Sequence, residues 1–183
     1  MVSTRITTAA ELFAMGSDAP YELFRGELIS VSPSAFKSNL VLANIFGELK
    51  RFVQANRLGY VSVAEGGYLL ETNPDTVVAP DVAFVARDRM PLPIPERGYL
   101  PLRPDLVVEV TSPTDERRDI ELKQALYDRI EVPIVWWIDP RREVATVHEM
   151  GQPVQVIDRS GRLDGGDVLP GFVLELADAF DIP

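Results

Sequence analysis

Apolar residues follow two spacings along the chain, one typical of helices and one typical of strands. Helical spacing behind capping residues predicts three helices. They cover about residues 8–15, 35–55 and 116–130. The first begins at a capping box formed by Thr8 and Glu11, and the second is expected to begin at Ser34, whose hydroxyl can cap it.

Short runs of β-branched, aromatic and other apolar residues predict strands between and after these helices. They lie at about 21–24, 27–31, 60–64, 68–71, 82–86, 106–111, 134–138, 144–149 and 154–157. The first two flank Arg25-Gly26, which is typical of a tight hairpin. Residues 87–104 hold five prolines and predict a long surface loop, while the apolar tail at 172–176 is expected to pack back on the body.

The order of these elements predicts the fold class. The strand at 106–111, the helix after it and the strand at 134–138 form a βαβ unit, whose two strands run parallel. Most other strands follow one another as they do in hairpins. We therefore expect an α/β protein of the α+β type, with a mixed central β-sheet flanked by helices and extra β-hairpins, in one domain over residues 1–183.

The composition restricts the chemistry of any site. The chain has no cysteine and one histidine, His148, which excludes zinc fingers, cysteine nucleophiles and poly-histidine metal sites. A bound metal would need oxygen ligands, which favours magnesium, manganese or calcium. There is no signal-peptide pattern and no apolar run near the roughly 20 residues of a membrane span, so we expect a cytoplasmic protein without membrane contact.

The formal net charge is −10, which argues against a surface coated in basic residues for nucleic acid. A local basic groove stays compatible with that charge. Basic residues gather within or beside the central segment, at Arg87, Arg89, Arg97, Arg103, Arg117, Arg118 and Lys123. They either line such a groove or are ordinary solvated side chains.

Two carboxylates are the strongest candidates for metal ligands. Glu109 lies inside an apolar strand, where a charge is costly unless it is paired or binds a metal. Asp105 shares its face, but four residues of strand span about 13 Å, so these two cannot share one ion. Asp105 is expected to cap the strand or to pair with an arginine. Asp81, at the start of another strand, can converge on Glu109, and a backbone carbonyl and water would complete the site.

Lys123 lies on the helix that follows the Glu109 strand, and this helix can return it towards the strand end. Tyr127 is four residues further along the same face and is expected to contact the ligands. A lysine there can position a metal-bound water or stabilise negative charge on a phosphate. The alternative is a purely structural ion pair between Glu109 and Lys123. Trp136, Trp137 and His148 are expected to be ordinary core and strand residues.

The segment from Pro104 to Pro113, with Pro80-Asp81 before it, resembles the PD-(D/E)xK nuclease signature. The wider pattern is similar to the Uma-two family of restriction-endonuclease-like proteins. The matching pieces are Tyr21 to Leu28, Ser32-Pro33-Ser34, Pro80-Asp81-Val82, Pro104 to Pro113, Lys123 with Tyr127, Trp137 to Pro140 and Pro170-Gly171-Phe172. No piece is specific by itself, and the order and spacing of the pieces carry the resemblance.

The resemblance implies a restriction-endonuclease-like core with Asp81 and Glu109 as metal ligands. The lysine position of the signature is Thr111 here, so Lys123 would supply that lysine. Glu27 matches a glutamate that recurs in the family and would support the ligands. Two positions depart from the family: Phe36-Lys37-Ser38 stands where a histidine is usual, and Glu131 replaces a usual glycine.

These features predict a hydrolase of the endonuclease type that uses Mg²⁺ or Mn²⁺ to cleave DNA phosphodiesters. The alternative is a catalytically inactive nuclease-fold module that acts through protein partners, which the acidic charge and the missing histidine favour. A hydrolase acting on another phosphodiester is a third possibility. Exposed strand edges near 144–157 predict a homodimer, because such edges need cover.

Overall fold

The computed structural model describes residues 7–16, 20–31, 33–113 and 117–182. Within these ranges the helices are α1 (Ala9–Ala14), α2 (Phe36–Asn56), α3 (Arg117–Arg129) and α4 (Leu176–Ala179). The strands are β1 (Tyr21–Phe24), β2 (Glu27–Ser30), β3 (Gly59–Val63), β4 (Tyr68–Glu71), β5 (Thr76–Val78), β6 (Val82–Ala86), β7 (Leu106–Val110), β8 (Ile134–Asp139), β9 (Val144–Glu149), β10 (Gln155–Asp158), β11 (Arg162–Asp164) and β12 (Val173–Glu175). Residue 116, the predicted start of the third helix, and Ser32 lie outside the described residues.

The central sheet has six strands in the order β10-β9-β8-β7-β6-β3. Its neighbours are antiparallel except β7 and β8, which run parallel with α3 between them in the chain. The βαβ unit and the mixed sheet are thus confirmed. Every residue of β7 is buried, as expected of a central strand covered on both faces.

A second sheet has four strands in the order β2-β1-β5-β4. The hairpin of β1 and β2 is confirmed, with Arg25 and Gly26 both at positive φ as its two-residue turn requires. The strands predicted at 60–64 and 68–71 do not pair with each other: β3 pairs with β6, and β4 pairs with β5. The partner of β4 was not predicted because β5 has only three residues, although all three are buried.

The helices cover both faces of the central sheet. Along one face, α2 packs Val41, Ile45, Leu49 and Val53 against the sheet, together with the buried tail around Phe172. On the other face, α3 and strands of the four-stranded sheet form a second apolar cluster. Within the described residues, none of the helices is long and apolar enough to cross a membrane.

Two predicted details of the helix starts have opposite outcomes. The capping box of Thr8 and Glu11 is present at α1. The prediction that Ser34 caps α2 is wrong, because Ala35 occupies the N-cap position and no side chain caps that end. Ser38 in the first turn instead donates its hydroxyl to the carbonyl of Thr111 at 2.9 Å, which ties α2 to the end of β7.

The remaining predictions concern the loop and the tail. Residues 87–104 contain no helix or named strand, which confirms the loop, and Leu100 forms an isolated bridge with Tyr68. The strand predicted at 154–157 exists as β10 but is not the last one, since β11 and β12 pair after it. The tail packs back on the body as predicted.

Candidate active site

Glu109 lies in the fourth position of β7, between buried valines, and is only 5% exposed. Burial raises the pKa of its carboxyl to about 7, from an ordinary 4.5. The Lys123 ammonium acts against this rise, whereas the negative charges of Asp81 and Glu22 add to it. The ammonium of Lys123 therefore does not fully offset the effects of burial and of the two neighbouring carboxylates on Glu109.

The helix α3 brings two side chains to Glu109. The ammonium of Lys123 lies 3.3 Å from Oε1, and the hydroxyl of Tyr127, one turn later, donates a hydrogen bond to the same oxygen. This follows from the βαβ connection, which returns α3 across the face of the sheet that Glu109 points to. Both contacts end on Oε1, which leaves Oε2 outside them.

Asp81 stands immediately before β6, the antiparallel neighbour of β7. The register pairs Val82 with Val108, so its continuation by one residue places Asp81 opposite Glu109. The carboxyl oxygen Oδ2 of Asp81 accepts the backbone N–H of Val110 at 2.8 Å. The backbone at the end of β7 therefore fixes the side chain of Asp81 next to Glu109.

Glu22 is a third carboxylate beside Asp81 and Glu109, buried like Glu109, and was not among the residues predicted from the sequence. It belongs to β1 of the four-stranded sheet and is 5% exposed. Its Oε1 accepts the N–H of Ala79 at 3.0 Å and lies 3.1 Å from the ammonium of Lys123. The signal that could have found it is the one that pointed to Glu109: a carboxylate inside a short apolar strand.

The cluster is unbalanced in charge. Three carboxylates, Glu22, Asp81 and Glu109, surround one ammonium, Lys123, which gives −2 when all four are ionised. Burial lowers the pKa of Lys123, but Glu109 and Glu22 outweigh it and hold that pKa above its ordinary range. Burial, followed by the charge of Glu109, raises the pKa of Tyr127 well above its ordinary value, so its hydroxyl stays neutral and can donate.

A cavity of about 280 Å³ opens beside Asp81, between the start of α2 and the strand ends. Its walls mix small polar and apolar side chains with one carboxylate. They are Pro33, Ser34, Ser38, Asn39, Leu42, Ala64, Asp81 and Val110. Asp81 thus borders the cavity, whereas Glu22 and Tyr127 are buried and are not among its lining residues.

Asp105 and Glu27 lie outside the cluster. Asp105 forms an ion pair with Arg89 and accepts the N–H of Ala86 at 2.8 Å, which confirms its predicted pairing with an arginine. Glu27 is exposed at the first position of β2, paired with Phe24 across the hairpin turn. The structure therefore does not bring Glu27 to Asp81 and Glu109, and the glutamate that contacts Lys123 together with Glu109 is Glu22.

The remaining candidates are core and strand residues. Trp136 is buried and stacks on Phe172, while the indole N–H of Trp137 donates to Gln124 at 2.6 Å. His148 lies on β9 opposite Val135 in β8. Burial lowers the pKa of His148, against a smaller opposing effect of a nearby aspartate.

A family model described as "Putative restriction endonuclease" matches residues 9–177, nearly the whole chain. The chain belongs to the Uma2 family. A crystal structure described as that of "a putative nuclease belonging to DUF820" from Anabaena variabilis is similar to the Uma2 chain, with a TM-score of 0.80 and 17% sequence identity. The similarity covers 94% of this chain and 97% of the other, and at this identity it shows a shared fold. None of the curated proteins compared with the chain matches it.

Divalent metals are the usual cofactors of restriction-endonuclease-like families. No three carboxylate or histidine side chains among the described residues are grouped closely enough to hold a metal together. Two carboxylates on neighbouring strands, an excess of negative charge and an oxygen-only donor set nevertheless fit a hard cation that keeps several waters. Asp81 and Glu109 are the residues that would hold it.

Proposed function

We propose that this Uma2 protein is a nuclease that hydrolyses DNA phosphodiesters with the help of Mg²⁺ or Mn²⁺. The observation that carries the proposal is the meeting of Lys123 with Glu109 at 3.3 Å, beside Asp81 on the neighbouring strand. Two carboxylates and a lysine from three separate elements meet at one end of the central sheet. The family and the fold support the same reading.

Each residue of the cluster has a role in this proposal. The chemistry that the bound ion supplies is charge neutralisation at the phosphate and a lowered pKa of a coordinated water. Asp81 is oriented by the N–H of Val110, and Tyr127 holds Oε1 of Glu109, which leaves Oε2 for the cation. Lys123 keeps its proton and stabilises the negative charge that develops on the phosphate.

Binding to DNA is expected to be modest and strongly dependent on salt. The chain carries a net charge of −10, so its surface as a whole would repel DNA. Two of the arginines near the central segment are already engaged in ion pairs, Arg89 with Asp105 and Arg117 with Glu121.

We also propose that the protein works as a cytoplasmic homodimer. Among the described residues the edge strand β10 pairs only with β9, and Val154, just before it, and Val156, within it, are 55% and 69% exposed. Pairing with a second copy would cover this edge. Sedimentation analysis of the purified protein distinguishes a monomer of 20.3 kDa from a dimer of twice that mass.

A supercoiled-plasmid nicking assay tests the function. We expect nicking with Mg²⁺ or Mn²⁺, none after chelation, and recovery when the ion is restored. Asp81→Asn should lose nicking, whereas Glu175→Gln, a matched change at an exposed glutamate far along the chain, should keep it. If the folded wild-type protein nicks neither DNA nor RNA with either ion, the reading as an inactive module that binds protein partners replaces this proposal.

A further inference from the structure

Glu22 is the one member of the cluster that comes from the four-stranded sheet. A single oxygen of its carboxylate, Oε1, receives two donors: the N–H of Ala79 at 3.0 Å and the ammonium of Lys123 at 3.1 Å. Both donors connect Glu22 to the candidate active site. Ala79 lies two residues before Asp81, and Lys123 contacts Glu109.

We propose that Glu22 is a positioning residue for the reaction, which holds the ammonium of Lys123 in place and ties down the segment that carries Asp81. This inference rests on the function proposed above. Glu22 is nearer to Lys123 than Glu109 is, at 3.1 Å against 3.3 Å. If Glu109 binds a cation, Lys123 therefore keeps a second anionic partner, Glu22, which is not a metal ligand in this proposal.

A purely structural role explains Glu22 less well. Leu23 and Phe24, its neighbours in β1, already supply buried apolar contacts to the core. An apolar side chain at position 22 would pack there without the desolvation penalty of a buried ion pair, so packing alone does not require a carboxylate. A carboxylate adds an acceptor that binds both the N–H of Ala79, in the backbone before Asp81, and the ammonium of Lys123.

A role for Glu22 as a third metal ligand is also less consistent with the geometry. Among the residues that the structure describes, no three acidic or histidine side chains are close enough to hold one ion. The contacts of Glu22 instead point to Lys123 and to the backbone. We therefore expect its loss to change the chemical step and to leave metal binding nearly intact.

The first test uses Glu22→Gln, which keeps a carbonyl oxygen for the N–H of Ala79 and removes only the charge that holds Lys123. We expect kcat for oligonucleotide cleavage to fall about 10–100-fold. KM and the Kd for Mn²⁺ should stay within about threefold of wild type, and the Tm should stay close to it. Glu175→Gln is the matched control. A wild-type kcat in Glu22→Gln would overturn the inference, and so would a loss of Mn²⁺ binding as complete as that in Glu109→Gln, because Glu22 would then be a ligand.

A second readout does not depend on cleavage. The side-chain NH₃⁺ of Lys123 should give a resolved ¹⁵N signal with slow hydrogen exchange, because it is held by two carboxylates and 19% exposed. Loss of the signal in Lys123→Met assigns it. We expect Glu22→Gln to abolish the slow exchange and Glu175→Gln to preserve it. An unchanged Lys123 signal in Glu22→Gln contradicts the positioning role, whereas an inactive wild-type protein in which Glu22→Gln still releases Lys123 contradicts the nuclease function alone.

Discussion

The two ends of strand β7 carry buried carboxylates in different surroundings. Asp105, just before the strand, is 9% exposed and has one arginine partner, Arg89, and one backbone donor. Glu109, near the other end, is 5% exposed and shares one ammonium with two further carboxylates. Burial is similar, but among the described residues only the Glu109 end brings together more carboxylates than cations. Charge balance, more than burial, therefore distinguishes a structural carboxylate from a candidate ligand.

The largest expected effect is that of Glu109→Gln. It should abolish metal-dependent nicking, a loss of at least about 100-fold, because it removes one of the two proposed anionic ligands. It should not lower the Tm, since a neutral amide relieves the excess negative charge in the cluster. Nicking assays and thermal melts of the same preparation check both parts. If Glu109→Gln lowers the Tm but keeps the wild-type activity per folded molecule, the role of Glu109 is structural, as that of Asp105 is.

The next largest effect is expected for Lys123→Met. Loss of the ammonium should reduce kcat about 10²–10³-fold, because negative charge on the phosphate is then left without this partner. Metal binding should be retained or become tighter, because the cluster then keeps its three carboxylates and loses the ammonium of Lys123. Cleavage kinetics combined with a Mn²⁺ titration test this. Parallel loss of metal binding and activity would contradict a separate role for Lys123.

The pH dependence of metal binding should reflect Glu109. The pKa of its carboxyl is raised to about 7 in the metal-free protein, so below that pH a cation must displace a proton. The apparent affinity should rise up to about tenfold per pH unit until about pH 7 and then level off. Calorimetry in buffers of different ionisation enthalpy measures the released proton.

The Glu109 carboxyl has an opposite pH dependence in its effect on the stability of the fold. Its folded pKa of about 7 exceeds the ordinary 4.5, so its stabilising contribution is full below about pH 4.5 and is lost as the pH rises through about 7. Glu109→Gln should remove this part of the dependence of the Tm on pH. An identical pH profile in wild type and Glu109→Gln would contradict the assignment.

The smallest effect on activity is expected at the balanced end of the strand. Asp105→Asn should cost ~1–3 kcal/mol of stability, because it leaves the guanidinium of Arg89 without its anionic partner in a partly buried place. The activity per folded molecule should stay at the wild-type level. Denaturant unfolding and nicking at a temperature well below the Tm check the two parts. A loss of activity without a loss of stability would show that the comparison between the two ends is wrong.

The sequence predicts the elements of this fold better than their partners. The strands β7 and β8 and the helix α3 have strong local patterns, and their parallel pairing follows from the length of the connection. Strands β3 and β4 are also marked locally, yet each joins a different sheet. Such pairing depends on contacts distant in the chain, and β5, the partner of β4, is too short for a pattern of its own.

The candidate site divides in the same way. Glu109 can be found from its apolar neighbours, and Asp105 can be set aside from strand geometry alone. The register that places Asp81 opposite Glu109 is a property of the folded sheet. Glu22 has the same local signal as Glu109, but its contact with Lys123 joins the four-stranded sheet to α3 and could not be predicted from spacing. The resemblance directed attention to Glu27, which is exposed.

We propose that Asp81 and Glu109 together bind a divalent cation, and a calorimetric titration with Mn²⁺ at pH 8 is the most direct test of this site. Wild type and Glu175→Gln should bind one ion per chain with the same affinity. Asp81→Asn and Glu109→Gln should bind at least about 100-fold more weakly while remaining folded. Binding of Mn²⁺ by Glu109→Gln with the wild-type affinity, or no binding by the folded wild-type protein, would contradict a cation site shared by Asp81 and Glu109.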